Sequence, residues 1–105
     1  MIINMQSVNF TADKKLLDYI DKKLGKVDKF FGNIVRADVV LRLENSGQVR
    51  DKLVELRILV PGNVLVTKDS GKSFEKAFDS AVKTLKRRIV KYKEKLKSKS
   101  VSKSL

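Results

Sequence analysis

The chain has 105 residues, 42% of them hydrophobic, and its 24 Lys and Arg against 12 Asp and Glu give a net charge of +12. This size and apolar content suit one compact domain and argue against wholesale disorder, while the charge favours a polyanionic partner. The absence of Cys and His excludes disulfides, thiolate sites and histidine-based catalysis. We also predict no metal, no cofactor and no small-molecule substrate.

The first two predicted elements are a strand over residues 2–10 and an amphipathic helix. Thr11 or Asp13 can cap this helix by accepting hydrogen bonds from its first-turn amides. Gly32 and Asn33 provide a suitable stop. The apolar residues that keep helical spacing between these limits are Leu16, Leu17, Ile20, Leu24, Val27 and Phe31.

The middle of the chain changes to the alternating pattern of half-buried strands. The two alternating apolar sets are Val35, Ala37, Val39, Leu41 and Leu43, and then Val54, Leu56, Ile58 and Val60. Residues 45–48 supply turn-forming side chains between them, which predicts a hairpin with one wet face. Residues 61–63 predict a second turn, and residues 64–67 a last strand whose buried face the pattern leaves open.

The last third of the chain predicts a loop at residues 69–73 and a long helix from about Ser73 to Leu96. Residues 98–105 are rich in Ser and Lys and lack a helical period, so we expect a flexible tail after a single domain of residues 1–97. The order β-α-β-β-β-α favours an α+β fold. In it, both helices pack on one face of a four-stranded sheet, which buries both apolar stripes.

Positive charge is concentrated on the long helix, opposite its apolar stripe. At about 100° per residue, the apolar side chains fall within about 60° of Leu85. Residues 72–99 carry eleven Lys and Arg against three acids, a local charge of +8. An unspecialised helix mixes both signs on its polar face. The far arc instead carries Lys76, Lys83, Lys86, Arg87, Lys91, Lys93 and Lys97.

The first helix has a weaker basic face opposite Leu24, formed by Lys15, Lys22, Lys26 and Lys29. Side by side on a sheet, the two helices would turn two basic ridges outward with a groove between them. Solvated helix faces are the alternative explanation, but two coincident ridges favour a nucleic acid, because each phosphate contact releases counterions. The predominance of Lys over Arg favours contacts to the backbone, since Arg is the usual bidentate reader of bases.

Three aromatic residues can either pack in the fold or stack on a base. Tyr92 lies in the apolar stripe of the long helix, which predicts a core position with its hydroxyl at the edge. Tyr19 and Phe30 lie on the shoulder of the first helix. For both we predict packing under the helix or against a strand, with base stacking as the alternative.

Several stretches resemble the ribosome hibernation-promoting factor family, which includes the ribosome-associated inhibitor once described as a modulator of sigma-54. Residues 8–11 and 16–27 are similar to the first strand and first helix of that family. Residues 74–79, followed by the basic and apolar run at 85–97, resemble its second helix. The resemblance covers nearly the whole chain, to about Lys97.

The resemblance implies a cytoplasmic, non-catalytic protein that docks on the small ribosomal subunit when growth slows. It would occupy the channel used by messenger RNA and by the anticodon ends of A- and P-site transfer RNA, and so block translation. The residues that match rRNA-facing positions of the second helix are Lys83, Lys86, Arg87, Lys91, Lys93 and Lys97. Lys23 and Lys26 match basic positions of the first helix, and Lys22 and Lys29 extend that patch.

The resemblance further implies a short form, monomeric when free, without the second domain by which long members pair ribosomes. Whether it favours ribosome dimers or inactive single ribosomes stays open. A general double-stranded-RNA-binding module is the main alternative, because the α-β-β-β-α part shares the topology of such domains. Membrane binding is disfavoured since the core needs the apolar stripe. An enzyme is disfavoured because the acids are scattered among lysines.

Overall fold

The computed structural model describes residues 1–45 and 50–103, and within them the side chains of residues 1–44 and 52–95. The elements in chain order are β1 (Ile2–Val8), α1 (Lys14–Phe31), β2 (Arg36–Asn45), β3 (Arg50–Val60), β4 (Asn63–Gly71) and α2 (Phe74–Lys103). This order confirms the predicted β-α-β-β-β-α arrangement. The predicted turn at residues 45–48 lies largely outside the described residues.

The four strands form one mixed sheet in the order β1-β2-β3-β4. β1 pairs with β2 in parallel, and the other neighbours are antiparallel. The register places Val39 opposite Leu56, and Leu56 opposite Thr67. Because strand side chains alternate between faces, these positions share the face that the helices cover.

The core lies between the sheet and the two helices, as predicted. α1 contributes Leu16, Ile20, Leu24, Val27 and Phe31. α2 contributes Phe74, Ala77, Phe78, Ala81, Val82, Leu85 and Ile89. The sheet contributes Ala37, Val39 and Leu41 from β2 and Val54, Leu56, Ile58 and Val60 from β3. All of these side chains belong to one continuous cluster, so both helices pack on the same face.

The ends of α1 are fixed by two local devices. Asp13, not Thr11, is the N-cap, and its Oδ1 accepts a hydrogen bond from the Leu16 N–H at 2.9 Å. Gly32 ends the helix with φ at 81°, and its N–H donates to the Asp28 carbonyl. This left-handed conformation disfavours side chains, so glycine suits the position.

Two strand boundaries differ from the sequence prediction. β1 ends at Val8, before the predicted end at Phe10, because Asn9 adopts φ of 68° and turns the chain out of the strand. Phe10 then stacks on Phe74 with ring centroids 4.3 Å apart. The buried position before β2 is taken by Ile34, whereas Val35, which the alternation placed in the buried set, is 53% exposed.

The face of β4 that the sequence left open is now defined. Thr67 is buried and Leu65 is packed against the core, while Val64 is exposed. The Thr67 hydroxyl donates to the Ala81 carbonyl at 3.3 Å, which satisfies this buried polar group. The strand also continues to Gly71, through part of the predicted loop, because its last residues still pair with β3.

The approach of β4 to the start of α2 is close. A Cβ atom at Gly71 would lie 3.1 Å from the backbone nitrogen of Ala77, so glycine permits this contact. Ser73 caps α2 by accepting from the Lys76 N–H at 3.1 Å.

α2 is longer than predicted. Its backbone remains helical to Lys103, beyond the predicted end at Leu96. Residues 97–103 contain no Gly or Pro to stop a helix, and Lys has good helix propensity. A domain boundary at residue 97 and a mobile tail stay predictions. Within the described ranges, no helix is both long and apolar enough to cross a membrane.

Leu85→Ala tests the central packing position. Leu85 is fully buried, so the truncation should lower the free energy of unfolding by about 2–5 kcal/mol through lost contacts and a residual cavity. Urea denaturation measures the change. Val64→Ala is the matched control, because Val64 is 46% exposed and its truncation should stay within about 0.5 kcal/mol of the parent protein. Equal losses for the two variants would contradict this core assignment.

Candidate nucleic-acid interface

The two helices lie side by side and run in the same direction. Tyr19 of α1 contacts Asp79 of α2 near the start of both helices. Phe31 stacks on Tyr92 near the other end, with ring centroids 6.4 Å apart. α1 therefore contacts α2 near both ends of α1.

Basic side chains line the solvent side of both helices. The exposed members of the predicted site are Lys22, Lys26 and Lys29 on α1 and Lys83, Lys86, Arg87, Lys91 and Lys93 on α2. We call these eight residues the cationic surface. Lys97 lies in α2, but its side chain is outside the described residues. The structure thus brings most of the predicted residues to one side of the molecule, and their contact with RNA stays a prediction.

The charge of the cationic surface is not compensated within the described part of the protein, where none of its eight side chains forms an ion pair with an acid. The ion pairs of the sheet lie on its open face instead. There Glu55 lies 3.8 Å from both Arg57 and Lys68. Arg36 Nε lies 3.3 Å from Asp38 Oδ2, without hydrogen-bond geometry. The two faces therefore differ in kind, and the helix face is the one suited to a polyanion.

Lys23 differs from the other predicted site residues because it is paired. Its ammonium donates to Asp79 Oδ1, and the Tyr19 hydroxyl donates to the same oxygen at 2.6 Å. The Tyr19 ring also packs edge-on against Phe78, with centroids 6.5 Å apart. Lys23 therefore contributes to the contact between the helices, and Asp79 is the acid that holds it there.

The three groups shift one another's pKa values. Partial burial alone would raise the pKa of Asp79, but the hydrogen bonds from Lys23 and Tyr19 outweigh it and leave the pKa below its ordinary value. The hydrogen bond to Asp79 raises the pKa of Tyr19, and burial adds to this rise. The same carboxylate raises the pKa of Lys23. All three shifts favour the neutral tyrosine, the ammonium and the carboxylate together.

The aromatic predictions are confirmed for two residues and wrong for one. Tyr92 packs at the edge of the core, and its hydroxyl donates to the Pro61 carbonyl at 3.1 Å. Tyr19 packs against the core as predicted. Phe30, for which packing was also predicted, is 47% exposed. The side chain lies beside α2, with the Lys86 and Lys93 ammonium groups 5.8 and 5.9 Å from its ring centroid.

The sequence reasoning gave Asp79 no role in the contact between the helices, and it favoured packing over base stacking for Phe30. Asp79 lies seven residues before Lys86 and fourteen before Lys93, which places all three on one side of α2, facing α1. That spacing was a readable signal. The exposure of Phe30 was not readable, because Phe30 and Phe31 are adjacent aromatics and only the packed structure shows which ring points outward.

The fold and the cationic surface define an α+β domain that presents two parallel basic helices to solvent. The family model described as sigma 54 modulation protein / S30EA ribosomal protein matches residues 3–97. The chain belongs to this family, which confirms the resemblance found in the sequence.

Several relatives share this similarity over nearly the whole chain. A ribosome hibernation promoting factor from Pseudomonas putida is 28% identical, over 93% of this chain and 92% of its own length. One from Klebsiella oxytoca is 27% identical, over 92% of this chain and 98% of its own. A ribosome hibernation promotion factor from Bacillus subtilis is 29% identical over 94% of this chain, which corresponds to 52% of that protein.

Solved structures confirm the fold. A ribosomal subunit interface protein from Coxiella burnetii superposes with a TM-score of 0.81 at 19% identity, covering 90% of this chain and 99% of that one. The N-terminal domain of Protein Y from Thermus thermophilus gives 0.74 at 24% identity, covering 88% and 99%. At these identities the likeness concerns the fold alone.

Asp79→Asn tests the contact between the helices. The substitution removes the carboxylate charge, and because the Asp79 side chain is 42% exposed the loss of unfolding free energy at neutral pH should be only about 0.5–1 kcal/mol. Asp21→Asn, at an exposed position on the other flank of α1, should change stability less. Urea denaturation of the two variants decides this, and a smaller loss for Asp79→Asn would contradict it.

The same variant gives a pH signature. A lowered carboxyl pKa stabilises the fold above the ordinary value of 3.8, and this contribution is lost as pH falls through the lowered value. The raised pKa values of Tyr19 and Lys23 stabilise the fold below their ordinary values of 10.0 and 10.5. That contribution disappears as pH rises through the raised values. The stability difference between parent and variant should therefore be flat at neutral pH and shrink at both extremes.

Proposed function

We propose that this protein is a ribosome hibernation factor that binds rRNA of the small ribosomal subunit and blocks translation during slow growth. Membership of the family and the names of the Pseudomonas and Klebsiella relatives support a role at the ribosome. The main observation in favour of an RNA contact is the cationic surface, whose eight side chains form no ion pair with an acid among the described residues. Its occupation of the messenger and transfer RNA channel is the part of the proposal that rests on the resemblance.

Binding would work by charge neutralisation. Each lysine that meets a phosphate releases condensed counterions, so a surface that makes about 6–10 such contacts loses roughly 10³–10⁵ in affinity between 50 and 200 mM salt. Eight exposed cations on the two helices match that range. Only Arg87 among them is an arginine, which favours contacts to the RNA backbone over bidentate reading of base edges.

The rigid placement of the two ridges would give the surface its selectivity. Folded RNA offers phosphates at distances set by its tertiary structure, and proteins recognise it mostly by shape. The shared core and the contact of Asp79 with Tyr19 and Lys23 fix the spacing of α1 and α2. A fixed pair of ridges suits one RNA shape better than others.

The proposal needs no catalytic step. Inhibition would follow from occupying a site that messenger and transfer RNA also need. In this proposal the free protein is a monomer that acts in the cytoplasm, as the resemblance implies. No cofactor or metal enters the proposal. In the described residues, no group of three or more acids is placed to hold a metal ion.

Competition between intact small subunits and a simple RNA duplex separates this proposal from a general double-stranded-RNA-binding module. We expect small subunits to displace a labelled duplex at concentrations far below those at which unlabelled duplex does. Fluorescence anisotropy of the labelled duplex provides the measurement. Equal affinity for the two would favour the general module, whose topology the α-β-β-β-α part shares.

Neutralising the cationic surface should weaken binding and flatten its salt dependence. The triple variant Lys83→Gln, Arg87→Gln, Lys91→Gln removes three exposed charges, so the slope of log affinity against log salt should fall by about two to three. The measurement is cosedimentation with purified small subunits at several salt concentrations.

The matched control is the variant Arg42→Gln, Arg57→Gln, Lys68→Gln. It removes the same charge from the open face of the sheet, where these side chains are exposed. We expect only a small, non-specific decrease from the lower net charge. Equal effects of the two triple variants would show that net charge, and not the cationic surface, governs binding.

A further inference from the structure

Phe30 stands apart from the other aromatic residues of the described structure. The rings of Phe31, Phe74 and Phe78 are buried, and those of Phe10, Tyr19 and Tyr92 are packed against the core. Phe30 alone among these aromatic residues is exposed, with 47% of its surface accessible. About half of the Phe30 side chain is therefore accessible to a ligand, while the other half contacts the protein.

The surroundings of Phe30 belong to the cationic surface. The ammonium groups of Lys86 and Lys93 approach its ring from α2, at 5.8 and 5.9 Å from the centroid. These lysines are seven residues apart, two helical turns or about 10.5 Å along the axis. They therefore project from the same side of α2, and the ring lies within reach of both. Lys93 also lies 5.0 Å from the buried Phe31 ring, which anchors it beside the site.

This arrangement combines the two features by which proteins hold single-stranded nucleotides. Aromatic side chains provide a flat face on which any base can stack, and neighbouring cations follow the phosphates. The two ammonium groups lie within cation–π distance of the Phe30 ring. A base that stacks on this ring would take the place of that contact, and its flanking phosphates would lie within reach of Lys86 and Lys93. Tyr19, the other aromatic on this side of α1, is occupied by Phe78 and Asp79.

We propose that Phe30 is a nucleobase-stacking residue, with Lys86 and Lys93 as its phosphate partners. The proposal rests on the proposed function in that the nucleotide would be an unpaired base of the bound RNA. It adds a contact to a base at a surface whose other residues recognise only charge. The cationic surface would thereby prefer RNA with an unstacked nucleotide at this position over a regular duplex.

The test compares two probes of equal length and charge, an oligoadenylate and an abasic oligonucleotide, by fluorescence anisotropy at low salt. The parent protein should bind oligoadenylate more tightly. Phe30→Leu should weaken binding to oligoadenylate by about 5- to 100-fold and binding to the abasic probe very little. Phe30→Trp should keep the preference of the parent protein for oligoadenylate, because an indole also offers a stacking face.

The salt dependence separates stacking from charge. Phe30→Leu should leave the salt slope of oligoadenylate binding unchanged, since stacking releases no counterions, whereas Lys86→Gln should lower the slope by about one. Val64→Ala, an exposed apolar position on the open sheet face, should change neither affinity nor slope. Far-ultraviolet circular dichroism of each variant confirms that the fold is retained.

The proposal is overturned if the parent protein binds the two probes equally, if Phe30→Leu weakens both to the same extent, or if Phe30→Trp loses the preference for oligoadenylate. Cosedimentation of the parent protein with small subunits is a separate arm. If the protein does not cosediment with small subunits but still prefers oligoadenylate, the proposed function is wrong and the stacking role of Phe30 is retained. If the protein cosediments with small subunits but shows no preference for oligoadenylate, the stacking role of Phe30 is wrong and the proposed function is retained.

Discussion

The structure depends on burying two cationic helices against one face of one sheet. Each fully buried Leu, Ile or Phe contributes about 1.5–3 kcal/mol relative to exposure, and the two helices bury twelve apolar residues together. Repulsion between exposed lysines works against this arrangement, but in water two charges 4 Å apart interact by only about 1 kcal/mol, and salt screens wider separations. The free energy gained by packing therefore outweighs this repulsion. Without the shared core, the lysines of α1 and α2 would not stay so close together.

The contact between the helices adds a polar element to this packing. Asp79 accepts hydrogen bonds from Tyr19 and Lys23, so this acid and this lysine hold α1 against α2. The opposite face of the sheet carries mixed charges that pair with one another, such as Glu55 with Arg57. Among the described residues, the open face of the sheet thus carries ion pairs between its own side chains, whereas the cationic surface forms none.

Sequence periodicity predicts the part of this architecture that is local. The 3.6-residue period of α1 and α2 and the alternation of β2 and β3 each indicate which side is buried, and both were confirmed except at Val35, which is exposed. Properties set by distant partners were not predicted. The face of β4 depends on its pairing with β3 and on the carbonyl of Ala81, and the state of Lys23 depends on an acid 56 residues away. Phe30 was assigned wrongly because helical position alone does not tell whether α2 covers the ring. The end of α2 was missed because weak apolar periodicity was taken as the end of the helix, although nothing in residues 97–103 breaks one.

The length of α2 has a consequence for energetics. Its last core contact among the described side chains is Tyr92, and the helix continues for eleven residues, from there to Lys103. The described side chains beyond Tyr92, those of Lys93, Glu94 and Lys95, are exposed. Isolated helices shorter than about 12–15 residues are marginal in water, so helix propensity matters at this end. Like charges four residues apart, as at Lys91 and Lys95, lower its stability by a further few tenths of a kcal/mol, roughly. An anion bound at the C-terminal end of α2 would offset the repulsion between Lys91 and Lys95. On the proposed function, folding of the helix end and RNA binding would therefore be linked, and amide hydrogen exchange in the last turns of α2 would report on binding at that end.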